Sequence, residues 1–111
     1  LLLRDVHHQD ETTNFYLYLN ELEKRDYRMA ECTPHRIYLI DHQNKHRYQI
    51  KFFKHSIILT GPRFGYVPLL RNVDHLDYSY QKDILRSRIT MMNQQRFSAK
   101  SWVKKCSKKD R

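Results

Sequence analysis

A chain of 111 residues that is 40% hydrophobic and 30% charged can build one folded domain but has no room for two independent cores. Its 21 Lys and Arg against 12 Asp and Glu leave a net charge of +9, which makes polyanions the leading class of partner. No apolar run approaches the roughly 18 residues of a membrane span, and Leu1–Leu3 is followed at once by Arg4, so neither a spanning helix nor a secretory signal is expected.

Charge is unevenly spread. Residues 1–31 carry 4 Lys/Arg and 7 Asp/Glu, residues 32–95 carry 10 and 4, and residues 96–111 carry 7 and 1. An acidic start turned away from a polyanion, with the rest facing it, fits that partition. Cys32 and Cys106 are the only cysteines, 74 positions apart, which excludes a disulfide framework. That favours a reducing, intracellular compartment, cytoplasmic or nuclear.

In chain order, Asp10-Glu11-Thr12-Thr13 has the composition of a helix start, and Phe15, Tyr18, Leu19 and Leu22 recur at helical spacing. A helix is predicted over about 12–25, with Glu21 and Arg25 as an exposed pair. Tyr27 to Cys32 reads as a short strand broken by Pro34. Arg36 to Ile40 and Tyr48 to Phe53 flank a polar stretch and read as a β-hairpin, and Ser56 to Thr60 is a further strand stopped by Gly61-Pro62. Both glycines lie in 61–65, which is expected to be a shaped loop, and Val67, Leu69 and Leu70 then return to the core. Farther on, Ile84, Leu85, Ile89 and Met92 share one helical face and Lys82, Arg86 and Thr90 another, which predicts a second helix over about 78–95. Phe97 and Trp102 interrupt the basic tail and are expected to pack a last short helix onto the domain.

The hairpin register follows from its apolar pattern, because a one-residue slip would send every side chain to the wrong face. Pairing Ile37 with Ile50 and Leu39 with Tyr48 leaves one core face, completed by Phe52. The opposite face then carries Arg36, Tyr38, Ile40, Arg47, Gln49, Lys51 and Phe53. Cations there neutralise phosphates, Arg and Gln reach base edges, and aromatic rings stack on unpaired bases. A two-stranded ribbon is also a known reader of the major groove. Arg63, Arg86, Lys100, Lys104 and Lys105 extend the expected binding set, the last three as part of a polybasic arm.

Catalytic and metal chemistry find less support. Cys32-x2-His35 and His42-x3-His46 are spaced like ligand pairs, but an extended 36–41 would hold them roughly 20 Å apart, and each pair supplies two of the four ligands that structural zinc needs. Asp41, Gln49 and Lys51 faintly resemble a restriction-endonuclease core, except that Gln stands where an acid is needed and Asp41 belongs to the opposite face. Neither a Walker loop nor a GxSxG elbow is present, so no nucleophile, base and orienter assemble. No cofactor or metal is expected.

The fold expected is α+β: an N-terminal helix, an antiparallel sheet of three or four strands, and a C-terminal helix, with residues 1–95 as the domain and 96–111 as a basic extension. The order of helix, three strands and helix is that of double-stranded-RNA-binding domains, but the basic, alanine-rich start of their second helix is missing, so no family is identified. The function expected is non-enzymatic binding of nucleic acid, double-stranded DNA ahead of RNA. The alternative is a protein-interaction module for an acidic partner in a larger nucleoprotein assembly.

Overall fold

The computed structural model describes residues 9–108, which form one helix and eight strands. Helix α1 (Thr12–Glu23) starts where Asp10 Oδ1 accepts hydrogen bonds from the Thr12 backbone N–H at 3.0 Å and its hydroxyl at 2.7 Å. Phe15, Tyr18 and Leu22 form its buried stripe, as the spacing predicts. Glu21 pairs with Lys24 at 2.8 Å rather than with Arg25, which reaches Asp41 at 3.9 Å.

The chain then runs as a continuous antiparallel meander. Strands β1 (Tyr27–Thr33), β2 (Arg36–Asp41), β3 (Arg47–Phe53), β4 (Ser56–Gly61) and β5 (Phe64–Arg71) make a five-stranded sheet in sequence order. Strands β6 (Val73–Gln81), β7 (Ile84–Met91) and β8 (Arg96–Trp102) make a second, three-stranded sheet. Strand β6 lies across one end of the first sheet: Val73 N–H donates to His55 O in the β3–β4 turn at 2.9 Å, and Tyr78 N–H donates to Pro34 O in the β1–β2 turn at 2.8 Å. Helix α1 packs against the inner faces of both sheets, so one apolar cluster spans Phe15, Tyr18, Ile37, Ile50, Leu85 and Ile89. No helix among the described residues is long and apolar enough to cross a membrane.

The β2–β3 register is the expected one, Ile37 with Ile50 and Leu39 with Tyr48. The α+β expectation is overturned. The molecule is mostly β, and the second helix predicted over 78–95 is instead the end of β6, all of β7 and a turn. Leu85, Ser87, Ile89 and Met91 point inward while Ile84, Arg86, Arg88 and Thr90 point outward, a period of two. The polar Ser87 at an inward position, and a Lys82-Asp83 turn with no glycine, disguise that period. Its hydroxyl is satisfied by Tyr18 Oη at 3.0 Å, which is why serine is tolerated there.

The last short helix is also absent. Arg96 to Trp102 is β8, paired with β7 along its length, so the segment expected as an extension supplies a strand of the second sheet. Beyond it, Met29 N–H donates to Lys104 O at 2.7 Å and Cys106 N–H donates to Met29 O at 2.9 Å, laying the tail along the β1 edge. Neither glycine of 61–65 adopts positive φ: Gly61 ends β4, Gly65 lies in β5, and Pro62-Arg63 forms the turn. Val67 is exposed rather than returned to the core. Strand β4 is internal, and β1 and β5 are the two ends of the five-stranded sheet.

Candidate nucleic-acid interface

The outer face of the five-stranded sheet is set by alternation along each strand. Tyr38, on β2, pairs with Gln49, on β3, and Gln49 with Thr60, on β4. One row along, Arg36 pairs with Lys51 and Lys51 with Ile58, and one row the other way Arg28, Ile40 and Arg47 lie side by side. A shallow cavity of about 360 Å³ opens among Ala30, Tyr38, Ile40, Arg47, Gln49 and Thr60. Tyr38, Arg47 and Gln49 are therefore brought together around one depression, with Arg36 and Lys51 beside it. Arg36 Nη1 donates to Tyr38 Oη at 3.3 Å, which holds the phenol beside the cation.

This face also carries buried apolar side chains. Ile40 is 1% exposed and Ile58 is 3% exposed. Ile40 is flanked across the strands by Arg28 and Arg47, residues of the type whose aliphatic stems cover apolar neighbours. Ile58 lies where Phe53, on β3, and Tyr66, on β5, meet edge to face at 6.5 Å across β4. Phe53 and Tyr66 are themselves exposed, so the face mixes aromatic surface with cations.

Pairing separates two kinds of cation. Lys24, Arg25 and Arg28 sit within 4 Å of Glu21, Asp41 and Asp26. The Arg28 hydrogen bond holds the Asp26 carboxyl below its ordinary range. Among the described residues, Arg36, Arg47 and Lys51 make no ion pair, and Glu31, next to Tyr38 across the strands, is the acid on their face. Arg63 stands in the β4–β5 turn at the end of the same sheet.

The remaining predicted residues lie elsewhere. Arg86 and Lys100 face each other across β7 and β8 on the outer side of the second sheet. Lys104 and Lys105 belong to the tail held on β1, and Lys105 N–H also donates to Asp83 Oδ1 at 3.2 Å, so this part of the tail is not a loose arm. Phe97 packs as expected, stacked on Phe15 at 4.5 Å, but Trp102 is 65% exposed. Arg88, expected beside Arg86 on a helix, and Arg96 and Trp102, expected in the basic tail, are instead exposed residues of β7 and β8. A period-two reading of 84–91 would have placed Arg86 and Arg88 on one outer face of a strand.

Asp41 is a turn-capping residue: its Oδ1 accepts from Gln43 N–H at 2.8 Å, and its side chain is on the face opposite Gln49 and Lys51. Burial pushes the Cys32 thiol up, which disfavours the thiolate that a nucleophile requires. No group of three or more His, Cys, Asp or Glu among the described residues is arranged to hold a metal ion.

In comparisons with known proteins, the family described as Competence protein ComGF matches residues 3–97, from ahead of α1 into β8. No curated protein and no solved structure matches the chain.

Proposed function

The chain belongs to the ComGF family of competence proteins, and from that premise we propose that it is a non-catalytic component of a competence apparatus that contacts double-stranded DNA through the outer face of its five-stranded sheet. Competence is the capacity of a cell to take up DNA, so such a component works beside a polyanion. The observation that carries the reading is a set of cations that make no ion pair among the described residues, Arg36, Arg47 and Lys51, around a cavity walled by Tyr38 and Gln49. Elsewhere on the helix side, the cations are already neutralised by carboxylates.

The mode of contact is constrained by width. Strands β2 and β3 are internal, and five strands at about 4.8 Å spacing span roughly 19 Å, wider than the roughly 12 Å major groove. A ribbon-in-groove reading is sterically closed to them. The face instead lies over phosphates, which supplies salt-sensitive affinity and little sequence preference. The test is fluorescence anisotropy with a labelled duplex, comparing the full chain with the Arg47→Ala, Lys51→Ala variant. At least a tenfold loss of affinity with an unchanged unfolding curve is expected, and wild-type affinity in that variant sinks the assignment.

A second reading, a protein-interaction module in a larger nucleoprotein assembly, is supported by a different, apolar surface. Tyr16 and Leu17 are 63% and 57% exposed on α1, and Leu17 adjoins Pro68 and Leu69 of β5. Duplex DNA that fails to displace a bound protein partner would place the two on separate surfaces.

A further inference from the structure

We propose that the outer face of the three-stranded sheet is a separate site for single-stranded DNA, which stacks its unpaired bases on Trp102. This goes beyond the duplex reading and rests on a different face of the molecule. Two outward rows carry it: Gln81, Ile84 and Trp102 side by side, then Ser79, Arg86 and Lys100. A cavity of about 440 Å³ opens among Ser79, Gln81, Lys82, Ile84, Arg86 and Lys100. Its lining holds three cations and no acid.

The nearby acids do not neutralise them. Asp83 is occupied on the tail side, accepting from Tyr80 Oη at 3.3 Å and from Lys105 N–H at 3.2 Å. Asp77 is paired across the strands with Arg88, one row farther along. Among the described residues, Lys82, Arg86, Arg88, Arg96 and Lys100 make no ion pair. The charge on this face is therefore available to an incoming polyanion.

Trp102 decides which polyanion. Its neighbours Ser101 and Val103 are buried, so strand alternation turns the indole outward, and it stays 65% exposed despite being the largest apolar side chain type. An exposed indole beside cations is a platform for a base that is not held in a duplex. The outward rows repeat every ~6.6 Å along the strands, about twice the 3.4 Å rise per phosphate of a stacked strand. That spacing suits an extended single strand with bases separated from one another. On its other side Trp102 borders the cleft at the end of α1, where Lys24, Arg25 and Arg28 are already ion-paired. The open cations, and hence the strand, lie on the sheet side.

Trp102 is the one tryptophan of the chain, so its emission reports on this site alone. The experiment titrates the full chain with a thymidine dodecanucleotide at about 150 mM salt, following tryptophan emission, and repeats the titration by anisotropy with a labelled oligonucleotide for the variants. Saturable quenching is expected. Trp102→Ala should weaken binding about 5- to 100-fold, with Trp102→Phe recovering most of it, and Arg86→Ala with Lys100→Ala should weaken it at least tenfold. An abasic dodecamer should bind markedly more weakly than the thymidine strand. The Arg47→Ala, Lys51→Ala variant should keep the quenching within twofold, so a failure of the duplex reading is seen separately. Absence of quenching, equal affinity for the abasic strand, or an unchanged Trp102→Ala variant with a native circular dichroism spectrum would each overturn the proposal, and an acidic protein that quenches where the oligonucleotide does not would overturn it in favour of a protein site.

Discussion

Tyr18 joins the helix to the second sheet through a buried hydroxyl cluster. Its Oη lies 2.7 Å from Tyr78 Oη and 3.0 Å from Ser87 Oγ, with all three side chains buried. Removing one hydroxyl leaves the other two under-satisfied in a region of low polarity, so Tyr18→Phe should cost about 1–2 kcal/mol. Urea unfolding of Tyr18→Phe, Tyr78→Phe and the double variant checks this: the double loss should be smaller than the sum, because the two phenols share one bond. The same burial acts on acidity. Desolvation pushes Tyr18, Tyr27 and Tyr80 up to about 12, and Tyr78 well above its ordinary value of 10. A raised folded pKa means that the folded state keeps its proton where the unfolded chain has lost it. That stability is fully present below pH 10 and is lost as pH rises toward 12. Alkaline titration should therefore show these phenols ionising together with the loss of circular dichroism, and ionisation ahead of unfolding would contradict their burial.

At the level of elements, the hairpin turns explain both the fold and its concealment in the sequence. Lys54-His55 and Lys82-Asp83 connect β3 to β4 and β7 to β6 with both residues at positive φ, the geometry that usually selects Asn-Gly. Gln94, at φ 74 in the β7–β8 turn, is a similar case with an exposed side chain. An L residue in that region carries strain of roughly 1–2 kcal/mol, part of which glycine returns to unfolded-chain entropy. Gln94→Gly should therefore raise stability by up to about 1 kcal/mol, seen as a higher urea midpoint at unchanged slope. The helix and the first four strands were legible because their signals agree: Pro34 and Gly61-Pro62 mark ends, and Ile37, Leu39, Tyr48 and Ile50 settle the register. From β6 onward local signals conflict with the fold. Ser87 breaks the apolar alternation, the turn residues carry no glycine, and Ile84, Leu85, Ile89 and Met92 coincide with helical spacing. The basic set on β2 and β3 could be placed because its register could be, while the arrangement of Arg86, Lys100 and Trp102 on one outer face depended on strand phase that the helical reading erased.

For the molecule as a whole, the +9 charge is less informative than its partition into three surfaces. On the α1 side Lys24, Arg25 and Arg28 are paired with carboxylates, whereas the outer faces of the two sheets each hold cations that make no ion pair among the described residues. Residues 103–106 of the tail complete the β1 edge: Val103 is buried, Tyr80 Oη donates to its carbonyl at 2.6 Å, and Cys106 is bonded to Met29. Ending the chain at Trp102 should therefore destabilise it by about 2–4 kcal/mol, one buried Val plus several hydrogen bonds. It should also leave β1 open to edge pairing, visible as a lower urea midpoint and concentration-dependent aggregation. Duplex binding can then be separated from non-specific adhesion by its salt slope. If Arg36, Arg47 and Lys51 are the phosphate contacts, about three counterions are released and the logarithm of affinity should fall with the logarithm of salt at a slope of about −2.7. Arg47→Ala with Lys51→Ala should flatten it by about 2, whereas Arg86→Ala with Lys100→Ala should leave the duplex slope unchanged. A wild-type slope near −8, shifted equally by both variants, would mean that the total charge is engaged and that neither face is a site.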